Sequence, residues 1–155
     1  MLIDEVTVRL SGGDGGPGIA GFSKTKGNLG PTGGNGGPGG DLVLEGVRDI
    51  SALLQFRYNK EFKADSGKVG TTRLRDGEKG EDRIIKIPIG TVVTNIDSGA
   101  VHEITKEGEQ IIAAKGGYRG RGNFHFRAST NTTPLEKEEG KPGESFQFRD
   151  RKSVV

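Results

Sequence analysis

Few residues in this chain are of types and spacings that can do chemistry. Gly13, Gly15 and Gly18 satisfy G-x-G-x-x-G directly after a strand-like stretch, the pattern that seats a dinucleotide pyrophosphate. That pattern works through a helix whose first turn faces the phosphates. The following residues, IAGFSKTKGNLG at 19–30, supply no helix, because glycine recurs there without helical periodicity. No G-x-x-x-x-G-K-[ST] occurs in the sequence, so it holds no Walker A loop for a nucleotide phosphate. His102 and His125 stand in different segments without a ligand partner at a useful spacing. Cysteine is absent, which removes disulfides, thiolate metal sites and cysteine catalysis. The carboxylates of EKEE at 136–139 read as a solvated charge run rather than a catalytic pair. No catalytic residue, cofactor, metal or small-molecule substrate is expected in this chain.

The chemistry that does suggest itself is nucleic-acid contact. In KGGYRGRGNFHFR at 115–127, Arg119 and Arg121 can make bidentate phosphate contacts, and Tyr118, Phe124 and Phe126 can stack on unpaired bases. Phe124 and Phe126 read equally as core residues of a turn and strand. Lys24 and Lys26 form a second basic group, and Arg73, Arg75 and Lys79 a third within the polar segment 65–83. Acidic residues collect elsewhere, at Glu136, Glu138, Glu139 and Glu144. The net charge of +2 is too small for a general nucleic-acid coat, so distribution decides. If the three basic groups converge they make a local positive surface; apart, each is a solvated loop.

The elements that must position these side chains are set by glycine. Gly12, Gly15, Gly18, Gly21, Gly27, Gly30, Gly33, Gly36 and Gly39 lie on a three-residue grid that only Lys24 interrupts. Three residues per turn is the period of a polyproline II helix, and glycine at every third place gives it a face without side chains. Gly13, Gly16, Gly34, Gly37 and Gly40 widen the stripe, and GGDGGPG at 12–18 recurs as GGNGGPG at 33–39. A flexible linker would not phase its glycines, and collagen needs a far longer repeat with more proline. Gly117 and Gly120 keep the same spacing, so 115–123 joins 12–40 in the set. The grid predicts short polyproline II segments joined by tight turns and held by close backbone approach with Cα–H···O contacts. Lys24, at the gap, marks a loop tip and a candidate contact point.

Elsewhere the periodicity is that of strands. Val6, Val8 and Leu10 share one face of Ile3–Leu10; further strands are expected at 42–44, 84–87, 91–94, 101–104 and 110–114. NIDSG at 95–99 is a turn signal that makes 91–104 a β-hairpin. Only DISALLQF at 49–56, with Asp49 as N-cap, can form a turn or two of helix. The apolar share of 30% looks poor until the 28 glycines are added, which brings the chain near the ordinary share of about 45–50%. The 155 residues therefore suit one mainly β domain, a small barrel or sandwich beneath a glycine-rich part. MLIDEVTVRL is too polar for a signal peptide and no stretch suits a membrane helix, so a soluble cytoplasmic protein is expected.

Six blocks together carry a resemblance. VRLSGGDGGPGIAGF at 8–22, PTGGNGGPGGDLVLE at 31–45, FRYNKEFKADSG at 56–67, IKIPIGTVV at 85–93, AKGGYRGRGN at 114–123 and EEGKPGES at 138–145 resemble, in order and spacing, the N-terminal glycine-rich domain of the Obg family of GTPases. The resemblance implies the Obg fold, a bundle of six left-handed polyproline II helices projecting from an eight-stranded β-barrel. It implies a role in ribosome biogenesis, with the domain docked on rRNA of the large ribosomal subunit near the peptidyl transferase region. It places GTP and Mg in a separate GTPase domain that follows. On this pattern the domain spans 1–148, and 149–155 is a tail where the GTPase domain would begin. Ser23 and Lys24 stand where family members often carry arginine. Two functions follow: an RNA-docking domain using Lys24, Lys26, Arg73, Arg75, Lys79, Arg119 and Arg121, or a protein–protein regulatory module acting on its own GTPase domain or another partner.

Overall fold

The computed structural model of the chain describes residues 2–22, 31–126 and 137–154. Within them the alternating stretches form eight strands: β1 (Leu2–Ser11), β2 (Leu42–Val47), β3 (Glu61–Lys63), β4 (Arg83–Pro88), β5 (Val92–Asn95), β6 (Val101–Glu103), β7 (Gln110–Ala114) and β8 (Ser145–Val154). The hairpin expected over 91–104 is β5 paired antiparallel with β6. The stretch at 49–56 becomes a 3-10 helix, Ile50–Arg57, capped by the Asp49 carboxylate, which accepts from the Ser51 amide at 2.9 Å. The sequence reading passed over β3, three residues long, which lies parallel to the end of β1.

The strands build two sheets, one in the order β3-β1-β8-β5-β6 and one in the order β4-β2-β7. Val8, Leu10 and Phe148 of the first sheet and Leu42, Leu44, Ile85 and Ile87 of the second bury into one core. Leu53 and Phe56 of the 3-10 helix complete it, with Phe56 edge-on to Phe62 at 5.4 Å. The strand number matches the implied barrel, but the barrel is not closed. β6 has only three residues, all exposed, and it does not pair with β7. His102 reaches Glu109 at 2.6 Å at one end of the gap. Toward the other end an apolar slot of about 330 Å³ opens between Val101 and Ile112, floored by Val93 and Phe148. The sheets stay open here and at their other edges, where β3 and β4 do not pair either.

β8 runs past residue 148, the domain boundary expected from the sequence blocks. It pairs with β1 from Ser145 opposite Ser11 through to Val154 opposite Leu2, so 149–154 continue the ladder. One member of that ladder is unusual. Asp150, opposite Val6 on β1 and Val93 on β5, is fully buried, and neither carboxylate oxygen has a hydrogen-bond partner. Burial pushes its carboxyl up to about 7 from an ordinary 3.8.

The glycine-rich stretches are the three long connections, 12–41 from β1 to β2, 64–82 from β3 to β4 and 115–144 from β7 to β8. Each leaves the sheets and returns, so six segments stand side by side above one end of the strands. Their hydrogen bonds recur every third residue. Gly13, Gly16 and Ile19 donate to Gly40, Gly37 and Gly34, while Gly34, Gly37 and Gly40 donate to Thr71, Lys68 and Asp65. Gly117, Gly120 and Asn123 donate to Gly13, Gly16 and Ile19, and Gly12, Gly15 and Gly18 donate to Glu144, Lys141 and Glu138. The spacing of the glycines is thus the spacing of the ladder. Conventional N–H···O bonds, each contributing about 0.5–1.5 kcal/mol net, do the joining that the sequence reading gave to Cα–H contacts.

The approach is too close for side chains: a Cβ at Gly36 would overlap the carbonyl of Gly16. The structure adds 64–71, 74–82 and 138–144 to the segments foreseen at 12–40 and 115–123, although 65–83 and 136–139 read as polar loop and charge run. Side chains also clamp the bundle. Buried Asn123 accepts from the Gly33 amide at 2.7 Å and donates to the Gly21 carbonyl at 2.8 Å. Asn35 accepts from the Gly122 amide at 2.9 Å and Asp41 from the Gly116 amide at 2.8 Å.

Candidate nucleic-acid interface

The register of the bundle fixes where each basic residue stands. Gly13, Gly40, Asp65 and Glu144 mark the end next to the sheets, and Ile19, Gly34, Thr71 and Glu138 the far end. Phe22 and Pro31 pair at the far end. Lys24 and Lys26, between them in sequence, lie outside the described residues, as do Gly27 and Gly30. Arg73 and Arg75 sit in the turn that closes 64–82 at this same end, both exposed and neither in an ion pair among the described residues. Thr71 holds the turn: its amide and hydroxyl donate to the Arg75 carbonyl at 2.9 and 3.1 Å, and its oxygen accepts from the Arg73 and Arg75 amides.

Arg121 is also at the far end. It pairs with Glu138 of the antiparallel segment and lies 5.2 Å over the Phe126 ring, so part of its charge is already met. Arg119 stands a step nearer the sheets and pairs with Asp76 at 3.2 Å. Asp76 in turn accepts from the Asn35 amide at 3.1 Å, which fixes the pair to the middle of the bundle. Lys79 is farther back, 3.5 Å from Asp82. The fold therefore gathers Arg73, Arg75 and Arg121 at one end, places Arg119 beside them, and separates Lys79. Exposed pairs of this kind are worth about 0–1 kcal/mol, so Arg119 and Arg121 can exchange a carboxylate for a phosphate at small cost.

Tyr118 is almost wholly exposed on the flank of the bundle, and Phe124 and Phe126 belong to a short 3-10 turn, Asn123–Phe126. Sequence reasoning did not single out Leu74. It lies between Arg73 and Arg75, half exposed, with φ of 60°. Nothing in TTRLRDG announces that conformation, because glycine or asparagine usually marks it.

The amides of Gly13, Gly15, Gly16 and Gly18 all donate to protein carbonyls, so none is turned toward a phosphate. Among the described residues no three of His, Asp and Glu gather to hold a metal ion. The described residues thus do not fit GTP or Mg. Among them no helix is long and apolar enough to cross a membrane.

Comparison with known proteins agrees with this architecture. The GTP1/OBG family pattern matches residues 3–150. A GTPase Obg of Acidobacterium capsulatum is 46% identical over 152 residues, 96% of this chain and 44% of that protein. Those of Persephonella marina and Heliobacterium modesticaldum are 43% and 42% identical, over 92% and 93% of this chain and 43% and 33% of theirs. The chain spans less than half the length of these relatives and corresponds to their N-terminal part. On the match over 3–150, the chain belongs to the GTP1/OBG family.

Proposed function

We propose that this chain is the docking domain of an Obg-type GTP-binding protein, which seats on rRNA of the large ribosomal subunit near the peptidyl transferase region during ribosome biogenesis in the cytoplasm. The observation that carries the reading is the far end of the bundle. Arg73 and Arg75 stand there without ion-pair partners among the described residues, in a turn whose amides are bonded to Thr71 and, through Leu74, to the carbonyl of Thr32 on the neighbouring segment. A rigid arm loses little entropy on contact, and two or more arginines at its end meet phosphates bidentately. The sheets are the platform and the glycine segments the spacer, with Arg119 and Arg121 further contacts around the end and Lys79 peripheral; Lys24 and Lys26, outside the described residues, are further phosphate contacts by charge alone. GTP and Mg belong to the GTPase domain of the longer relatives, and no covalent chemistry is assigned to this chain.

Co-sedimentation with isolated large ribosomal subunits across a salt series tests the reading. Binding should weaken as salt rises, with a log–log slope of roughly −0.7 per single-stranded phosphate contact. Arg73→Ala with Arg75→Ala should flatten that slope by about 1.4. Equal slopes for the two proteins would remove the far end from the interface. The second reading, a regulatory contact with a GTPase domain or another protein, is favoured by the apolar slot between β6 and β7. Binding to an added GTPase domain and not to subunits would establish it instead.

A further inference from the structure

We infer that Leu74 is an apolar contact for an unstacked RNA base, placed by a strained turn between two phosphate-binding arginines; this rests on the docking reading above. Leu74 is the one residue other than glycine with positive φ among the described residues, at 60°. For an L side chain that region costs about 1–2 kcal/mol, which glycine would avoid and asparagine largely so. The cost is not offset by burial. Leu74 is 52% exposed and belongs to no core cluster.

Its conformation is nonetheless fixed. The Leu74 amide donates to the Thr32 carbonyl at 2.8 Å, tying the turn to the neighbouring segment. Thr71 bonds the residues on both sides, donating to the Arg75 carbonyl and accepting from the amides of Arg73 and Arg75 at 3.4 and 3.3 Å. The surrounding backbone over-determines a strained residue and so presents an aliphatic side chain at the end of a rigid arm. A leucine in water between two arginines suits a partner that offers both negative charge and a flat apolar face. An unpaired nucleotide offers both, with its phosphate to an arginine and its base to leucine. A protein partner with an acidic rim and an apolar pocket is the competing occupant, and the test separates the two.

The test compares the chain with Leu74→Gly, Leu74→Met and the double change Arg73→Ala, Arg75→Ala, each with isolated large ribosomal subunits over a salt series. Leu74→Gly relieves the backbone, so its thermal midpoint should match or exceed that of the parent chain. Its affinity should fall roughly 5- to 10-fold, with the salt slope unchanged because no phosphate contact is lost. Leu74→Met should keep the affinity. Base-specific chemical probing of the bound subunit should show a nucleobase protected by the parent chain and reactive again with Leu74→Gly. Undiminished affinity of Leu74→Gly, beside salt-sensitive binding of the parent, would overturn the inference and leave the docking reading intact. Lost affinity with no base released would assign Leu74 to a protein pocket and overturn it also. Failure of every protein to bind would remove the docking reading and this inference with it.

Discussion

Replacing Asp150 by asparagine should stabilise the domain at neutral pH and remove a large part of its pH dependence. The side chain is fully buried opposite Val6 and Val93, with neither oxygen hydrogen-bonded, and its carboxyl is raised from 3.8 to about 7. Folding raises this pKa, so the folded state keeps a proton that the unfolded chain releases. Below about pH 4 both states are protonated and nothing is lost. Between pH 4 and 7 stability falls by about 1.4 kcal/mol per unit, and above 7 it levels off some 4 kcal/mol lower. Asparagine keeps the shape and cannot ionise. Urea unfolding at pH 5 and pH 8 should show the advantage of Asp150→Asn over the parent growing by about 3 kcal/mol between the two. That is a large fraction of an ordinary 5–15 kcal/mol stability. Asp14 and Glu109, whose carboxyls lie below their usual range, push the other way, but they are common to both proteins and cancel. Stability curves that stay parallel over this pH range would refute the reasoning: the carboxyl would have found a partner or water.

Other changes bear on the bundle and the open edge. Gly36→Ala drives a methyl into the Gly16 carbonyl and should part the segments, costing about 2–4 kcal/mol; limited proteolysis should then cut within 12–40 while the sheets stay resistant. Asn123→Ala leaves the Gly33 amide and the Gly21 carbonyl without their clamp. It should cost about 1–3 kcal/mol, and hydrogen exchange at Gly33 should accelerate. Glu109 has its carboxyl lowered first by the hydrogen bond from His102, so this contact stabilises the fold above the ordinary carboxylate pKa and is lost as pH falls. In His102→Ala, an NMR titration should find the Glu109 carboxyl moved upward; an unmoved titration would deny the contact.

The glycine grid shows how far local pattern reaches. A period of three in residues without side chains serves close approach of backbones in a folded chain, and Gly33, Gly36 and Gly39 meet the carbonyls of Ile19, Gly16 and Gly13 at that period. Strands were legible for the same reason: alternation at Val6, Val8 and Leu10 and the turn at 95–99 are local signals. The segments 64–71, 74–82 and 138–144 carry the same spacing only as the single pairs Gly67 and Gly70, Gly77 and Gly80, and Gly140 and Gly143, which Asp65, Glu78 and Glu138 mask with the look of solvated loops.

The basic residues mark the limit in the functional region. Their types in the sequence point to phosphate, yet Arg73 and Arg121 are far apart along the chain and share an end of the bundle only because separate connections run out to the same level. Which arginines also carry acid partners, and that Leu74 would be strained and exposed between two of them, are likewise products of neighbours brought in from distant segments. The sequence by itself determined the class of structure, the bare backbone face and the absence of a nucleotide phosphate loop, because each depends on residues close in the chain. The tertiary structure alone decided that the sheets stay open, that Asp150 is buried without a partner and that the cations gather at one end, because each depends on register between strands and segments that the chain joins only through long excursions.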